Sequence, residues 1–233
     1  MKTFLALLRK EVGVLFSSLI AYLLVAVFLV LVGYTFLSFL FITKGVTVLH
    51  IFFQAAILLV MIVPMITMRQ FAEERRHGTL ELLLTSPVRE IEVVIAKFLA
   101  SLLICLAMIG LTLCYPLTLQ TVAEPSWGPI ASGYLGLVLL ASALTAMGLA
   151  ISAWTANQVV AAAIGMGLFL LMWMVDTLAQ LLPDPFDNFF MNFSLLAHFT
   201  PLATGGLYLS DVGYFLTLTL LGLLFAMRSL ARR

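Results

Sequence analysis

The chain has 233 residues, of which 63% are hydrophobic and only 10% charged, with a formal net charge of +1. A soluble domain carries about a quarter charged residues, and 12 basic plus 11 acidic side chains cannot cover a 25.6 kDa globule. A mean hydropathy of +1.16 places the chain in a bilayer, where each crossing helix takes about 20 apolar residues, so at most about eight or nine spans fit and little remains for a water-soluble domain.

In chain order, Met1 to Glu11 sets Lys2, Arg9, Lys10 and Glu11 among Phe4, Leu5, Leu7 and Leu8. Residues 1–14 therefore read as an amphipathic interfacial helix. The apolar stretch from Val12 is too long for a signal-peptide core and lacks a small-residue cleavage pattern, so an uncleaved first span is expected at about Leu15 to Ile42. Thr43, Lys44 and Gly45 turn the chain, and a second apolar run from about His50 to Met68 completes a two-span unit over 15–68. Residues 69–97 follow as the one substantial polar segment, with ten of the 23 charges in 29 residues. Ser86 then Pro87 is a helix-start signal, the serine capping free amides and the proline suiting the first helical position. A third span is expected from Lys97 to about Thr121, ended by EPSWGP over Glu124 to Pro129 with its two prolines and interfacial tryptophan. Cys105 and Cys114 lie nine residues apart in that span, on opposite faces of a helix, and read as two unbridged thiols.

Span four covers about Ile130 to Ala153, and the polar break Trp154 to Gln158 separates it from span five at about Val159 to Leu182, so 98–182 hold spans three to five. Residues 183–211 are neither charged enough for a solvated loop nor long and apolar enough for a span. Two short re-entrant or interfacial helices are expected there, interrupted at Pro201 and at Gly205 and Gly206. A sixth span over 212–228 ends in Arg228, Arg232 and Arg233. The expected fold is all-α: one polytopic unit of six transmembrane helices.

With both termini cytoplasmic, Lys2, Arg9, Lys10, Arg69, Arg75, Arg76, Arg89, Lys97, Arg228, Arg232 and Arg233 fall inside and only Lys44 outside. The positive-inside rule selects that orientation. No basic stripe with interleaved aromatics supports a nucleic-acid partner. His50, His77 and His198 form no zinc helix, and neither a nucleophile turn nor a G-x-x-x-x-G-K-[ST] phosphate loop is present. Any ATP chemistry must therefore come from another polypeptide. Asp176 is the one ionisable group well inside a span, on one face with Trp173 and Gln180. Two roles are open for it: a wall of a substrate path or ion site, or a carboxylate near the outer interface satisfied by water or Gln180. Gly148 with Ser152 and Ala161 with Gly165 are small-x-x-x-small pairs, which permit close helix packing.

The polar segment combines charge of both signs with a leucine stripe, from Phe71 to Leu84. It can rest its leucines on lipid as an interfacial helix, or serve as a handle in which charges fix register and leucines fill a partner's groove. The string RQFAEERRHGTLELLLTSPV followed by EIEVVIAK resembles the signature of ABC-2-type transporter permeases. In particular it is similar to the small branch of gliding-motility and nitrous-oxide-reductase maturation permeases. The likeness is carried by Pro64 to Ala100, and elsewhere by the six-span topology. It implies a non-catalytic half-transporter in a bacterial inner membrane, pairing with a second permease subunit as a homo- or heterodimer. Two ATPase subunits would dock beneath it, holding ATP and magnesium themselves, and this chain would carry no cofactor. Glu73 and Glu74 match the acidic pair of the coupling motif, with Arg75, Arg76, Gly78, Thr79, Glu81, Leu82 and Leu83 completing it, while residues 182–210 correspond to the outer re-entrant helices. The short connection from Thr43 to Leu49 departs from relatives with a large outer domain, which leaves room for a separate periplasmic accessory subunit. Two other functions stay open: a membrane anchor for a cytoplasmic complex, and an ion-coupled carrier working through Asp176.

Overall fold

A computed structural model describes residues 2–42, 48–76, 78, 89–120, 126–179 and 190–231. The described residues contain no β-strand. Helix α1 (Lys2–Phe16) buries Leu7 and Glu11, one turn apart, and exposes Leu5 and Val14. It stops at Ser17 and Ser18, and Ser17 Oγ donates back to the Val14 carbonyl at 3.0 Å. Such back-bonding serines compete with the helical ladder, so the chain is interrupted here, where the sequence predicts an unbroken span from Leu15. Helix α2 (Leu19–Ile42) is apolar all round but buries only one stripe, Leu24, Phe28 and Val32.

Helix α3 (Leu49–Thr67) is followed, across the single residue Met68, by α4 (Arg69–Arg76). The polar segment thus starts as a helical continuation of span two. Helix α5 (Glu90–Leu111) is initiated by Arg89, whose backbone amide donates to the Glu92 side chain at 3.3 Å. The predicted start at Ser86 and Pro87 lies outside the described residues. Span three does not run unbroken toward Thr121. It turns at Thr112, whose Oγ1 donates to the Ile109 carbonyl at 2.6 Å, and resumes as α6 (Cys114–Leu119). This re-aims Tyr115, which donates to the Leu29 carbonyl at 3.0 Å and packs against Phe36, fastening α2 to the bundle. The two cysteines consequently sit on different helices, Cys105 buried and Cys114 exposed.

Helix α7 (Trp127–Trp154) is the hub. Its buried stripe is rich in small residues, including Gly133, Gly136, Ala141, Ala146, Gly148 and Ser152, which let neighbouring helices approach closely in lipid. It packs against α3, α4 and α5, and also against α8 (Gln158–Ala179), α9 (Leu195–Thr204) and α10 (Leu209–Ala231). Ser194 caps α9 by accepting from the Ala197 amide at 3.1 Å, and Gly205 ends it at φ +107°, a left-handed geometry that glycine adopts without strain. The last helix begins three residues before the predicted Val212.

Among the described residues, six helical stretches are long and apolar enough to cross a membrane: Leu19–Phe41, Leu49–Arg76, Glu90–Leu119, Trp127–Trp154, Gln158–Ala179 and Leu209–Leu230. They differ in how much protein surrounds them. Two-thirds of the α3 span is buried, against 28% for α10, 22% for α2 and 17% for α8, so α3, α5 and α7 form the interior while α2, α8 and much of α10 face outward. The chain is a multi-pass membrane protein. A smaller core, with Leu7, Phe71, Val94, Leu149, Ala153 and Ala226, joins α1, α4, α5, α7 and α10 at the end that carries most of the charge.

Candidate coupling site

The acidic pair is carried by α4, whose eight residues hold five charges. Beneath them lies Lys97, on the α5 face that also bears Val93, Val94 and Ser101, and fully buried at 1% exposure. An ammonium removed from water needs close anionic partners. Lys97 Nζ donates to Glu74 Oε1 at 2.8 Å and to Glu11 Oε2 at 3.0 Å, and it stands 5.3 Å from the centre of the Phe71 ring. One cation therefore joins three elements: α1 through Glu11, α4 through Glu74, and its own α5. Gln70 adds a second tie to α5, donating to Ser101 Oγ at 2.7 Å. A cavity of about 300 Å³ opens between the three helices, lined in part by Glu11, Arg69, Glu73, Glu74 and Lys97.

Span four closes the other side of this joint. Ser152 Oγ accepts from the amides of Phe71 and Ala72, each at 3.2 Å, and donates to the Met68 carbonyl at 3.0 Å. One turn earlier Gly148 faces Thr67 so closely that a Cβ there would strike its hydroxyl. The small pair Gly148 and Ser152 is thus what seats α3 and α4 on α7. The second pair is used as well: Gly165 lets α8 meet Pro64, whose ring would lie 3.3 Å from an added Cβ.

Of the residues singled out in the sequence, Glu73, Glu74 and Arg75 are partly buried on α4, while Arg76 is exposed. Gly78 stands just beyond, at φ +69°, with its amide 3.3 Å from the Arg75 carbonyl. Thr79, Glu81, Leu82 and Leu83 lie outside the described residues. Trp173 and Asp176 are half-buried on α8, at the opposite end of the bundle, and Gln180 is outside the described residues. Trp173 packs toward Phe199 of α9 with ring centres 6.2 Å apart. Near them α9 is locked to α10, with His198 Nδ1 and Asp211 Oδ1 at 2.8 Å, the His198 ring stacked 4.0 Å from Tyr214, and the Tyr214 hydroxyl donating to the Phe193 carbonyl at 2.9 Å. Ser132 Oγ ties the same helix to α7 through the Leu202 carbonyl at 2.8 Å.

Sequence reasoning missed Glu11, Gln70, Ser101 and the ion-pairing role of Lys97. One signal was available. Lys97 lies four residues after Val93 and four before Ser101, so the periodicity of α5 places it on the buried face, where an unpaired ammonium would not persist. Nothing in the sequence says which carboxylates answer it, since Glu11 is 86 residues away. Among the described residues no group of histidine, cysteine, aspartate and glutamate could hold a metal ion.

No curated protein matches the chain. A family model described as ABC-2 family transporter protein matches residues 43–227, which includes the charged α4, the hub helix α7 and all spans but the first. With six spans, a buried charged joint at one end and that match over most of its length, the chain belongs to the ABC-2 family of transporter proteins.

Proposed function

We propose that this chain is the permease subunit of an ATP-binding-cassette transporter, non-catalytic itself, that converts ATP hydrolysis in two separate ATPase subunits into movement of cargo across the membrane. The observation that carries the proposal is the buried Lys97 cluster. It binds the start of the polar segment rigidly to two further helices, as a lever needs and a passive surface loop does not. In this reading the charged end is cytoplasmic, in a bacterial inner membrane, and the contact region for the ATPases comprises Glu73, Glu74, Arg75, Arg76, Gly78, Thr79, Glu81, Leu82 and Leu83. ATP and magnesium belong to the partner. A second permease subunit, identical or not, completes the cargo path against the lipid-facing spans α2 and α8, with Trp173, Asp176 and Gln180 near its outer part. The motif over Pro64 to Ala100 favours the small branch similar to gliding-motility and nitrous-oxide-reductase maturation permeases, and a periplasmic accessory subunit fits the short outer connections.

Two measurements test this. Purification from native membrane in mild detergent is expected to bring down, in stoichiometric amount, a protein with a Walker A phosphate loop. In the reconstituted complex, Glu74→Ala or charge reversal at Arg75 and Arg76 is expected to separate ATP turnover from transport while membrane insertion is retained. Recovery of the chain with no ATPase, under conditions that preserve other ABC complexes, would favour a membrane anchor instead.

A further inference from the structure

The joint between span two and the polar segment contains a hydroxyl used to its full capacity. A serine offers one donor and two acceptor lone pairs. Ser152 commits all three to one backbone turn of a neighbouring helix: the Met68 carbonyl takes its proton, and the Phe71 and Ala72 amides fill both lone pairs. Those amides lie in the first turn of α4, where helical donors lack partners within their own helix. Ser152 therefore acts as an N-terminal cap supplied by a different helix of the same chain, and it is itself buried at 0% exposure. Gly148 admits it by removing the side chain that would hold the two helices apart.

The helix that provides this cap is bolted onward to α10. Ser229 Oγ of α10 donates to the carbonyl of Ala153, the residue after Ser152, at 3.0 Å. Farther along, a Cβ on Gly222 would stand 2.6 Å from the Ala146 carbonyl carbon and 2.7 Å from the Met147 nitrogen, so the two backbones are in direct contact. Ser142 and Thr219 hydroxyls meet at 3.2 Å on the same seam.

Resting on the permease reading above, we infer that Ser152 is a positioning residue of the transport cycle: it clamps the first turn of α4 to span four, so that spans four and six, as one body, receive the displacement of the coupling segment. Spans one and five, thinly packed in this chain, are not held in that way. A merely structural serine would hold the helices together without making span four follow the nucleotide state.

The experiment uses the permease reconstituted with its ATPase in nanodiscs, with the exposed Cys114 replaced by serine. Single cysteines are introduced at Glu90, at the start of α5, and at Trp154, at the exposed end of α7. Maleimide labelling is compared without nucleotide and with MgATP and vanadate. Both positions are expected to change their labelling rate. Adding Ser152→Ala is expected to abolish the change at Trp154 alone, and Ser152→Thr, which keeps the hydroxyl, to restore it. A response at Glu90 with none at Trp154, or a Trp154 response that survives Ser152→Ala, overturns the inference and leaves the permease reading intact. Silence at both positions overturns the permease reading, and the inference with it. If Ser152→Ala does not assemble, hydrogen exchange of the Phe71 and Ala72 amides in the unmutated complex decides. Protection retained in both nucleotide states supports a clamp that persists through the cycle, and loss of protection with MgATP and vanadate overturns it.

Discussion

Lys97 concentrates the energetics of the charged end in one side chain. Its ammonium is answered by two carboxylates, of which Glu11 is nearly as buried as the lysine itself while Glu74 is partly exposed. Removing the cation takes the shared buried partner from both carboxylates and leaves Glu11 with the exposed Lys10 at 3.6 Å, and breaking a buried pair from one side costs roughly 3–5 kcal/mol. Lys97→Met is therefore expected to lower the thermal unfolding midpoint in detergent markedly. Lys97→Met combined with Glu11→Gln and Glu74→Gln should recover most of that loss, because the two buried carboxylate charges go with the cation that balanced them and the methylene stem is kept. An unchanged midpoint for the single substitution would show that water reaches the cluster freely. Glu11 illustrates a limit of sequence reading at this scale. Its place in an amphipathic segment predicts an interfacial helix over residues 1–14, but a carboxylate turned into the joint and one turned to solvent look the same in sequence.

At the scale of elements, α7 owes its central position to small side chains rather than to hydrophobicity. Water does not drive helices together inside a bilayer, so close backbone approach and interhelical hydrogen bonds take over. Gly222 against Ala146 and Met147 is the least forgiving case, because the obstacle is backbone that cannot turn aside. Gly222→Val is expected to push α10 off α7 and destabilise the protein by roughly 1–3 kcal/mol. Gly213→Ala on the same helix, where an added Cβ meets nothing within 4 Å, should be neutral or gain up to about 1 kcal/mol of helix propensity. Thermal unfolding of the two variants side by side checks both signs, and equal effects would refute the packing argument. The pairs Gly148 with Ser152 and Ala161 with Gly165 were legible as packing motifs. Gly222 was not, since a single glycine in an apolar span carries no information about which neighbour it faces.

For the whole molecule, the division between an interior of α3, α5 and α7 and outward walls of α2, α8 and α10 leaves three spans to be covered by lipid or a second subunit. The distribution of basic residues predicts which end faces the cytoplasm. Single cysteines at Trp154 and at Tyr208, both exposed and at opposite ends of the bundle, should be labelled from opposite sides of the membrane by an impermeant maleimide. Labelling at Tyr208 is expected from outside and labelling at Trp154 only after permeabilisation; the reverse pattern would invert the orientation and move the charged joint away from any cytoplasmic ATPase.

The number and order of the spans, the all-helical fold and the location of the polar segment were determined by the sequence alone, because bilayer thickness turns hydropathy directly into helix length. The breaks at Ser17 and Ser18 and at Thr112 were not, since hydroxyls that leave the helical pattern are weak signals inside an apolar run. What only the tertiary structure decided is how the polar segment is held: by Glu11 from far upstream, by Lys97 from the following helix, and by the Ser152 hydroxyl from the hub. Hydropathy records a residue's preference for water or lipid, whereas an ion pair or a cap across helices depends on which faces meet, and that is set by packing of the whole bundle.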